Sequence, residues 1–207
     1  ELVSGSTVSR AGINRICTLT MLDSSRPEDL LDTALSAFER GNGYEAVFDR
    51  LPAPIYTTDR EGAVTYWNQA CIDFAGREPQ LGRDRWCVTW KLYTMSGDPL
   101  PHDHCPMATA IKERRPVRNE IAIALRPDGH RVAFRPYPTP LFDDAGQLVG
   151  AINMLIDVSR EQASALADQA ARCRRLSRAT TDRQASEILR AMASDYEATS
   201  GSLRNGD

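Results

Sequence analysis

The sequence predicts an α+β fold: an antiparallel five-stranded sheet with covering helices, plus flanking helices at both ends of the chain. Two observations support this prediction. Short β-prone runs within residues 51–160 are separated by turns that combine an acidic residue with glycine, such as Asp59-Arg60-Glu61-Gly62. On either side of this unit, residues 25–50 and 161–200 instead place apolar side chains at helical spacing.

The predicted sheet consists of five runs: Ile55–Thr58, Ala63–Trp67, Val117–Leu125, His130–Tyr137 and Leu148–Val158. The first two runs form a hairpin, because Gly62 can adopt the positive φ of a tight turn. The third run alternates larger apolar residues with Glu120, Ala122 and Ala124, which predicts a strand buried on one face only. The last two runs, joined through Asp143-Asp144-Ala145-Gly146, form a second hairpin or meander.

Two helices are predicted between these strands. Asn68 fits the N-cap of a helix that reaches Ala75. The second helix, Pro106–Arg114, is expected to cover the sheet, with Met107, Ala110 and Ile111 directed inward. The connector that precedes it is rich in tryptophan and tyrosine, and such large aromatic side chains favour packing on the domain.

The amino-terminal segment falls into two parts. Residues 1–24 are expected to be flexible or irregular, although 11–22 suits either a strand or a helix. Residues 25–50 predict a helical cap, which begins with a capping box at Ser25-Arg26-Pro27-Glu28. A helix over Pro27–Arg40 and a short helix over Tyr44–Arg50 would follow.

The carboxy-terminal segment, residues 161–200, contains neither glycine nor proline and carries a helical apolar stripe. Thr181-Asp182-Arg183-Gln184 fits a capping box that starts a second helix, but the same residues could lie inside one long helix. We prefer two helices. The end of the chain is expected to fray from Ser200, with 201–207 as a tail.

Composition limits the function classes. A chain with 42% hydrophobic and 26% charged residues is typical of a globular protein, and no apolar run approaches the roughly 20 residues of a membrane span. A net charge of -3 gives no general attraction to nucleic acid. Five scattered cysteines without a Cys-x-x-Cys pair favour free thiols and a cytoplasmic location. The chain begins with Glu1, which is compatible with a fragment of a longer protein.

Catalysis is not expected. The sequence has no Gly-x-Ser-x-Gly, phosphate-binding loop or His-Glu-x-x-His motif, and no kinase or cyclase signature follows the central unit. The three histidines, His102, His104 and His130, are too few and too local for an obvious catalytic triad.

The run His102-Asp103-His104-Cys105-Pro106 contains possible ligands for zinc or haem iron. Adjacent residues rarely converge on one tetrahedral ion, and no second ligand cluster is present. We therefore favour a structural interpretation, in which Asp103 or His104 caps the following helix and Pro106 occupies its first turn.

Five basic residues cluster toward the carboxy terminus: Arg172, Arg174, Arg175, Arg178 and Arg183. Such a cluster can bind phosphates, but these side chains point in different directions on a helix and acidic residues bracket them. A solvated helix face or a partner-docking surface is the preferred interpretation.

Several motifs in the central unit resemble the PAS domain family, a class of small sensory modules. They are the Pro54–Gly62 hairpin, the Tyr66-Trp67-Asn68-Gln69-Ala70 step from strand to helix, the segments Gly97–Pro101 and Pro138–Gly146, and the terminal Asp157-Val158-Ser159-Arg160. The last motif is similar to the Asp-Ile-Thr type with which many such domains continue into a signalling helix. The resemblance covers about half of the chain.

The resemblance implies a ligand pocket between the sheet and the Pro106–Arg114 helix. Its candidate residues are Tyr56, Trp86, Trp90, Met107, Ile111, Phe134 and Asn153. No cofactor is specified, since residues 107–114 lack the histidine with which some related domains bind haem. The light-sensing flavin branch needs a cysteine where Arg85 stands, so Cys87 is interpreted as a small buried residue.

The resemblance also implies a route for the signal. Asp157 is similar to the coupling acid of the family, Arg60 is its candidate basic partner, and Arg160 begins the helix that would receive the change. The expected protein is a bacterial-type sensor in signal transduction, a homodimer through its helical flanks, acting on a downstream signalling protein. A ligand-free protein–protein interaction scaffold and a haem or metal redox sensor using His102, His104 or Cys105 are the alternatives.

Overall fold

The computed structural model describes residues 26–41 and 43–204. The chain forms two compact units, whose boundary lies between Pro52 and Ala53. The predictions for residues 1–24, for Ser25 of the capping box and for 205–207 lie outside the described residues. No described helix is both long enough and apolar enough to cross a membrane.

Among its described residues, the first unit contains two helices, α1 (Pro27–Glu39) and α2 (Tyr44–Phe48). Pro27 occupies the first turn of α1, where a missing amide hydrogen has no cost, and Glu28 and Asp29 complement the positive end of the helix dipole. Phe38 and Phe48 each pack against the ring of Tyr44, with centroid distances of 5.0 and 5.1 Å. The contact between Phe38 and Tyr44 joins the two helices.

The second unit is built on an antiparallel sheet of seven strands, with the order β2-β1-β7-β5-β4-β3 and β6 paired to β7. The strands are β1 (Ile55–Asp59), β2 (Val64–Trp67), β3 (Lys91–Tyr93), β4 (Ala122–Leu125), β5 (Arg131–Pro136), β6 (Thr139–Phe142) and β7 (Leu148–Asp157). Between them lie α3 (Gln69–Ala75), a 3₁₀ turn at His102–His104 and α4 (Pro106–Glu113). The fold class is therefore α+β, as predicted.

Two of the seven strands were not among the five predicted. β3 comes from the aromatic connector and adds an edge strand beside β4. β6 continues the direction of β5 along β7, because Pro136 pairs with Leu155 and Thr139 pairs with Ile152. Pro136 and Pro138 lack amide hydrogens, so the ladder with β7 is interrupted there, and β6 forms in the connection between the strands predicted over His130–Tyr137 and Leu148–Val158.

The prediction that β4 is buried on one face only was wrong. Ala122 and Ala124 face the inner core, while Ile123 faces the outer side, and all three are buried. Ile123 belongs to an outer cluster with Ala133, Ala163 and Leu203. The carboxy-terminal helices supply two of these residues and therefore cover the outer face of the sheet.

Two helices, α5 (Ser159–Ala179) and α6 (Arg183–Arg204), form an antiparallel hairpin after β7. Small residues recur every seven positions where the helices touch: Ala163, Ala170 and Ser177 on α5, and Ser186, Ala193 and Ser200 on α6. The helices approach closely enough for Ser186 Oγ to donate to Ser177 O at 2.9 Å and for Ser200 Oγ to donate to Ala163 O at 2.8 Å. The chain was predicted to fray from Ser200. This was wrong for residues 200–204, because α6 continues to Arg204.

Candidate functional site

The inner core lies between the sheet and α4, and it contains four predicted pocket residues. Tyr56, Met107, Ile111 and Phe134 belong to one buried cluster, and Trp86 packs against it while partly buried. Phe134 lies edge-on to Phe74 of α3, with ring centroids 5.4 Å apart. α3 is held to the sheet by Asn68, whose Oδ1 accepts from Cys71 N and Ile55 N at 3.2 and 3.0 Å, so the predicted N-cap is confirmed.

A chain of hydrogen bonds crosses this core. Tyr56 Oη donates to Trp86 O at 2.9 Å and accepts from Asn153 Nδ2 at 3.0 Å. Asn153 Oδ1 in turn accepts from Tyr137 N at 2.9 Å. Burial raises the pKa of Tyr56 well above its ordinary value, with smaller contributions from Cys87 and Cys105, so the phenol stays neutral and can donate. The chain links β1, the aromatic connector and β7.

Trp86 closes one side of the core in a strained conformation. Its φ is 67°, which costs free energy for any residue other than glycine. Its amide donates to Gly62 O at 2.7 Å, and its ring covers Gly62 so closely that a Cβ on that glycine would lie 2.2 Å from a ring atom. Lys112 Nζ of α4 is 5.8 Å from the ring centroid. Trp86 therefore spans the first hairpin turn and α4.

Thr58 is a core residue that the sequence analysis missed. It follows Tyr56 on the same face of β1 and pairs with Ala151 of the inner core. Its side chain is buried, yet Oγ1 has no hydrogen-bond partner within the part of the chain that the structure describes. Such orphaned polar atoms are rare in protein interiors. The alternation of inward and outward residues along a strand could have placed Thr58 on the same face as Tyr56. That the Thr58 hydroxyl has no partner could not be predicted, because it depends on the tertiary fold.

Three buried thiols line the same core. Cys71 Sγ donates to Ile55 O at 3.2 Å, Cys87 Sγ lies 3.1 Å from Thr89 Oγ1, and Cys105 Sγ lies 3.9 Å from Trp86 O. Burial raises the pKa of each thiol, that of Cys105 from 9.0 to about 12. These cysteines are therefore neutral at physiological pH and are poor nucleophiles.

Trp90 does not belong to the inner core, so its assignment to the pocket was wrong. It directly precedes β3, the residue is 44% exposed, and Lys91 Nζ lies 4.3 Å from its ring centroid. It borders two surface clefts that also include His102. The connector has no regular spacing of apolar residues, so its sequence does not show that Trp86 faces the core and Trp90 faces outward.

The residues His102, His104 and Cys105 lie in different environments. His104 Nδ1 is 3.0 Å from Asp103 at the surface, whereas Cys105 is buried. His102 is partly buried, which lowers its pKa, and its Nε2 has no partner among the described residues. Within those residues no three His, Cys, Asp or Glu side chains are placed to hold a metal ion.

The cap predicted for α4 was also wrong. Neither Asp103 nor His104 caps the helix; the N-cap is Cys105, which makes no side-chain cap bond, and Pro106 occupies the first turn as expected. Arg85, which stands where a flavin-reactive cysteine would be needed, lies at the surface and donates to Glu61 O. The structure places its guanidinium outside the core cluster.

The predicted pair of Asp157 and Arg60 was wrong. Arg60 Nε contacts Glu61 Oε1 at 2.8 Å, whereas Asp157 Oδ1 accepts from Ser159 N at 2.8 Å. Asp59 pairs with Gly150, so Arg60 lies near the start of β7 and Asp157 lies about 23 Å further along it, at 3.3 Å per residue. Strand register, which the sequence does not reveal, separates the two residues.

The junction between β7 and α5 is instead attached to β5. Ala133 N donates to Ser159 Oγ at 3.0 Å, and Val158 N donates to Ala133 O at 2.8 Å. A cleft of about 620 Å³ beside this junction is lined by Asp157, Arg160, Leu203 and Arg204, among others. Two predicted coupling residues thus lie at this junction: Asp157 ends β7, and Arg160 belongs to the first turn of α5.

The arginines of the hairpin are exposed, and some are paired with carboxylates. Arg174 Nε donates to Glu197 Oε1 at 2.6 Å across the two helices, and Arg183 Nε donates to Glu187 Oε1 at 3.0 Å. These pairs fit a solvated helix face. The cross-helix pair depends on the register of the hairpin, which the sequence does not reveal.

An antiparallel sheet with a covering helix, a hydrophobic core crossed by hydrogen bonds and a helix continuing from its last strand defines an α+β domain of the sensor-module type. The family model described as PAS fold matches residues 48–163, which is more than half of the chain, and the protein belongs to this family. Comparison with curated proteins gave no match.

Among solved structures, the chain is similar to the Rhodobacter sphaeroides LOV protein, with 16% identity over 83% of this chain and 98% of that one, and a TM-score of 0.44. It is also similar to the LOV domain of the blue-light activated histidine kinase EL346 from Erythrobacter litoralis, with 22% identity, 52% and 97% coverage, and a TM-score of 0.41. The PAS domain of an HTR-like protein from Haloarcula marismortui gives 17% identity, 58% and 93% coverage, and a TM-score of 0.42.

Proposed function

We propose that this protein is a non-catalytic sensory and regulatory module, which senses a small ligand or the state of a cofactor and passes the change through α5 and α6 to a partner protein in signal transduction. The observation that carries the proposal is the continuity of β7. The strand holds Asn153 in the hydrogen-bonded core and enters α5 six residues later, at Ser159. A shift of Asn153 would therefore move the start of the hairpin.

The polar groups of the core support a ligand that forms hydrogen bonds. Thr58 Oγ1 offers a donor and acceptor without a partner among the described residues, on the same face of β1 as Tyr56, whose hydroxyl is neutral. Trp86 stands at the edge of the same core and holds a strained backbone. Strain of this kind favours a residue that changes conformation when its surroundings change.

The alternative of a ligand-free interaction scaffold is favoured by a different observation. Met107, Ile111 and Phe134 are buried in contact with the core cluster, which is the arrangement of a filled interior. In that case the inner core would serve stability alone. The haem or metal redox sensor, using His102, His104 or Cys105, is the third candidate, and absorbance distinguishes it from both.

The deciding experiment is an absorbance spectrum together with native mass spectrometry on protein purified without added cofactor. We expect a stoichiometric extra mass, which Tyr56→Phe reduces and the surface change Trp90→Phe leaves intact. A Soret or flavin band would identify the cofactor class. A colourless protein of the mass of the bare chain, which gains no mass from a small-molecule library, would favour the scaffold.

A further inference from the structure

A polar cleft, which we call the arginine cleft, lies at the surface between the loop after α3, the connector before β3 and the 3₁₀ turn. Its volume is about 380 Å³, at the lower end of the roughly 300–1,000 Å³ that is typical of small-molecule sites. Its lining includes Arg77, Arg83, Asp84, Trp90 and His102. Because Trp90 does not belong to the inner core, this cleft differs from the predicted ligand pocket.

The loop that follows α3 is held in a fixed shape by Asp84. Its Oδ2 accepts from Gln80 N at 2.7 Å, and Asp84 N donates to Gln80 O at 3.0 Å, so the two residues close a tight turn. Asp84 O also accepts from Val64 N of β2 at 3.0 Å, which anchors the turn to the sheet. One wall of the arginine cleft is therefore preformed, as is usual for sites that bind small ligands.

Arg77 brings a guanidinium to the cleft and uses little of its hydrogen-bonding capacity. Its Nη2 donates to Asp84 Oδ2, and its side chain makes no other hydrogen bond within the part of the chain that the structure describes. Only 20% of this side chain is exposed. A guanidinium has five N–H donors, and unpaired donors in a partly buried place cost free energy. An oxyanion in the cleft would pair with these donors, two at a time.

Arg83 adds a second positive charge at the rim of the cleft. Its Nη1 donates to Gln80 Oε1 at 3.2 Å, which is an uncharged acceptor, and no described carboxylate forms an ion pair with it. The two arginines and Asp84 therefore give the lining a net charge of +1. A single negative charge on a ligand would neutralise it.

His102 contributes a polar atom without a partner. Burial lowers the pKa of His102, while Asp84 raises this pKa and Arg77 lowers it to a smaller extent, so the ring is neutral at physiological pH. Its Nε2 is buried and has no hydrogen-bond partner among the described residues. Buried polar atoms are rarely left unpaired, and one on a residue that lines a polar cleft favours a binding site there.

Trp90 provides an aromatic surface at the edge of the cleft. The residue is 44% exposed, although a large aromatic side chain would gain free energy from burial. Planar ring systems stack on exposed aromatic side chains of this kind. The cleft thus combines a surface for a flat ring with two cations for an anionic group.

We propose that the arginine cleft binds a small aromatic carboxylate, whose carboxylate pairs with Arg77 and Arg83 and whose ring lies against Trp90. A phosphate ester fits less well, because its second negative charge would exceed the charge of the lining and lie near Asp84. The inference goes beyond the proposed function, since this ligand binds at the surface whether or not the inner core holds another.

Proton–nitrogen NMR spectra test the proposal with benzoate as the probe. The protein has three tryptophans, and Trp90→Phe identifies the indole N–H signal of Trp90 by its loss. Titration with benzoate should shift this signal in the wild type, with a dissociation constant of about 1 mM or lower. If about 20 mM benzoate, twenty times that constant, shifts no signal of the cleft, the proposal is overturned.

Variants at the rim locate the ligand. Arg83→Gln and Trp90→Ala change exposed residues, and we expect them to weaken benzoate binding about tenfold and about fivefold without loss of the fold. Arg85→Gln is the matched control, because it removes a cation from the same connector, but one that donates to Glu61 O and does not line the cleft. Benzoate binding that neither rim variant weakens would place the ligand elsewhere and refute the proposal.

Tyr56→Phe separates this proposal from the proposed function. The change lies in the inner core, so it should reduce a core ligand and leave the affinity for benzoate unchanged. A loss of benzoate binding in this variant would show that the probe occupies the core, against the proposal.

Charge distinguishes a carboxylate from a phosphate. Adenosine monophosphate offers a planar ring with a charge of about −1.5 to −2 at pH 7, and we expect it to bind the wild type more weakly than benzoate. Asp84→Asn retains an acceptor for Arg77 and Gln80 N but removes the negative charge, so it should raise the affinity for adenosine monophosphate about tenfold. Tighter binding of adenosine monophosphate than of benzoate to the wild type, or no gain in Asp84→Asn, would contradict the assignment.

Discussion

Asn153 of β7 donates a hydrogen bond from Nδ2 to the Oη of Tyr56, at 3.0 Å, inside the inner core. The bond joins two neighbouring strands through their side chains, in addition to the backbone ladder in which the same two residues are paired. Because Tyr56 also donates to Trp86 O, a change at the tryptophan can reach β7 through one side chain. The proposed sensing route therefore uses two hydrogen bonds and one strand.

Tyr56→Phe tests this route. The change leaves Trp86 O and Asn153 Nδ2 without their partner, and we expect a loss of about 1–3 kcal/mol in the free energy of unfolding. In a double-mutant cycle with Asn153→Leu, the two losses should fall short of additivity by about 0.5–3 kcal/mol, as measured by urea unfolding. If the two losses of free energy add exactly, the hydrogen bond does not couple Tyr56 to Asn153.

Gly62→Ala tests the contact with Trp86. An alanine Cβ would lie 2.2 Å from the indole, and φ at this position is +85°. We expect a loss of more than about 2 kcal/mol and a shift in tryptophan fluorescence. Gly97→Ala is the matched control, because its φ is +90° but no atom lies within 4 Å, so only backbone strain of about 1 kcal/mol should appear. Equal losses at both positions would contradict the steric argument.

Local chemistry predicted much of this fold. The turns at Asp59–Gly62 and Asp143–Gly146 were foreseeable because an aspartate that accepts backbone amides and a glycine at positive φ act within four residues. Asn68 was recognisable as an N-cap for the same reason. The inward residues of α4 followed from helical periodicity, which needs no knowledge of the partner surface.

Features that depend on distant contacts could not be predicted. Both faces of β4 are buried only because Ala163 and Leu203 of the hairpin, 40 and 80 residues after Ile123, cover the outer face. Arg60 and Asp157 were paired wrongly because strand register separates them along β7. The close contact between α5 and α6 was missed because alanine and serine give a weak hydrophobic pattern, although their spacing of seven residues is regular.

The buried thiol of Cys105 should make the protein less stable at alkaline pH. Burial raises its pKa from 9.0 to about 12, so the folded state favours the neutral thiol. The contribution of the neutral Cys105 thiol to the free energy of unfolding is fully present below pH 9. It is lost as the pH rises toward 12, because the thiol loses its proton in the unfolded chain at a lower pH than in the folded protein. Urea unfolding between pH 8 and pH 10.5 should show a falling free energy, with a smaller slope in Cys105→Ala. An unchanged slope in the variant would refute the assignment.

Ala193→Leu tests the close packing of the hairpin. Ala193 is fully buried and belongs to the same small cluster as Ala170, so a larger side chain must push α5 and α6 apart. We expect a loss of about 1–3 kcal/mol, with faster amide exchange confined to the two helices. Ala191→Leu, exposed two residues earlier, should have almost no effect and serves as the control.

Asp157→Ala tests the junction between sensor and hairpin. The change removes the acceptor for Ser159 N, and we expect it to lower the free energy of unfolding by about 1 kcal/mol. Amide exchange should rise selectively in α5 and α6, because the start of α5 is no longer fixed to the end of β7. Asp128→Ala is the matched control, since Asp128 Oδ1 likewise accepts from a backbone amide two residues later, His130 N at 2.9 Å, in an exposed turn. If both variants raise exchange in the hairpin only in proportion to their loss of global stability, Asp157 has a structural role alone and does not transmit the signal.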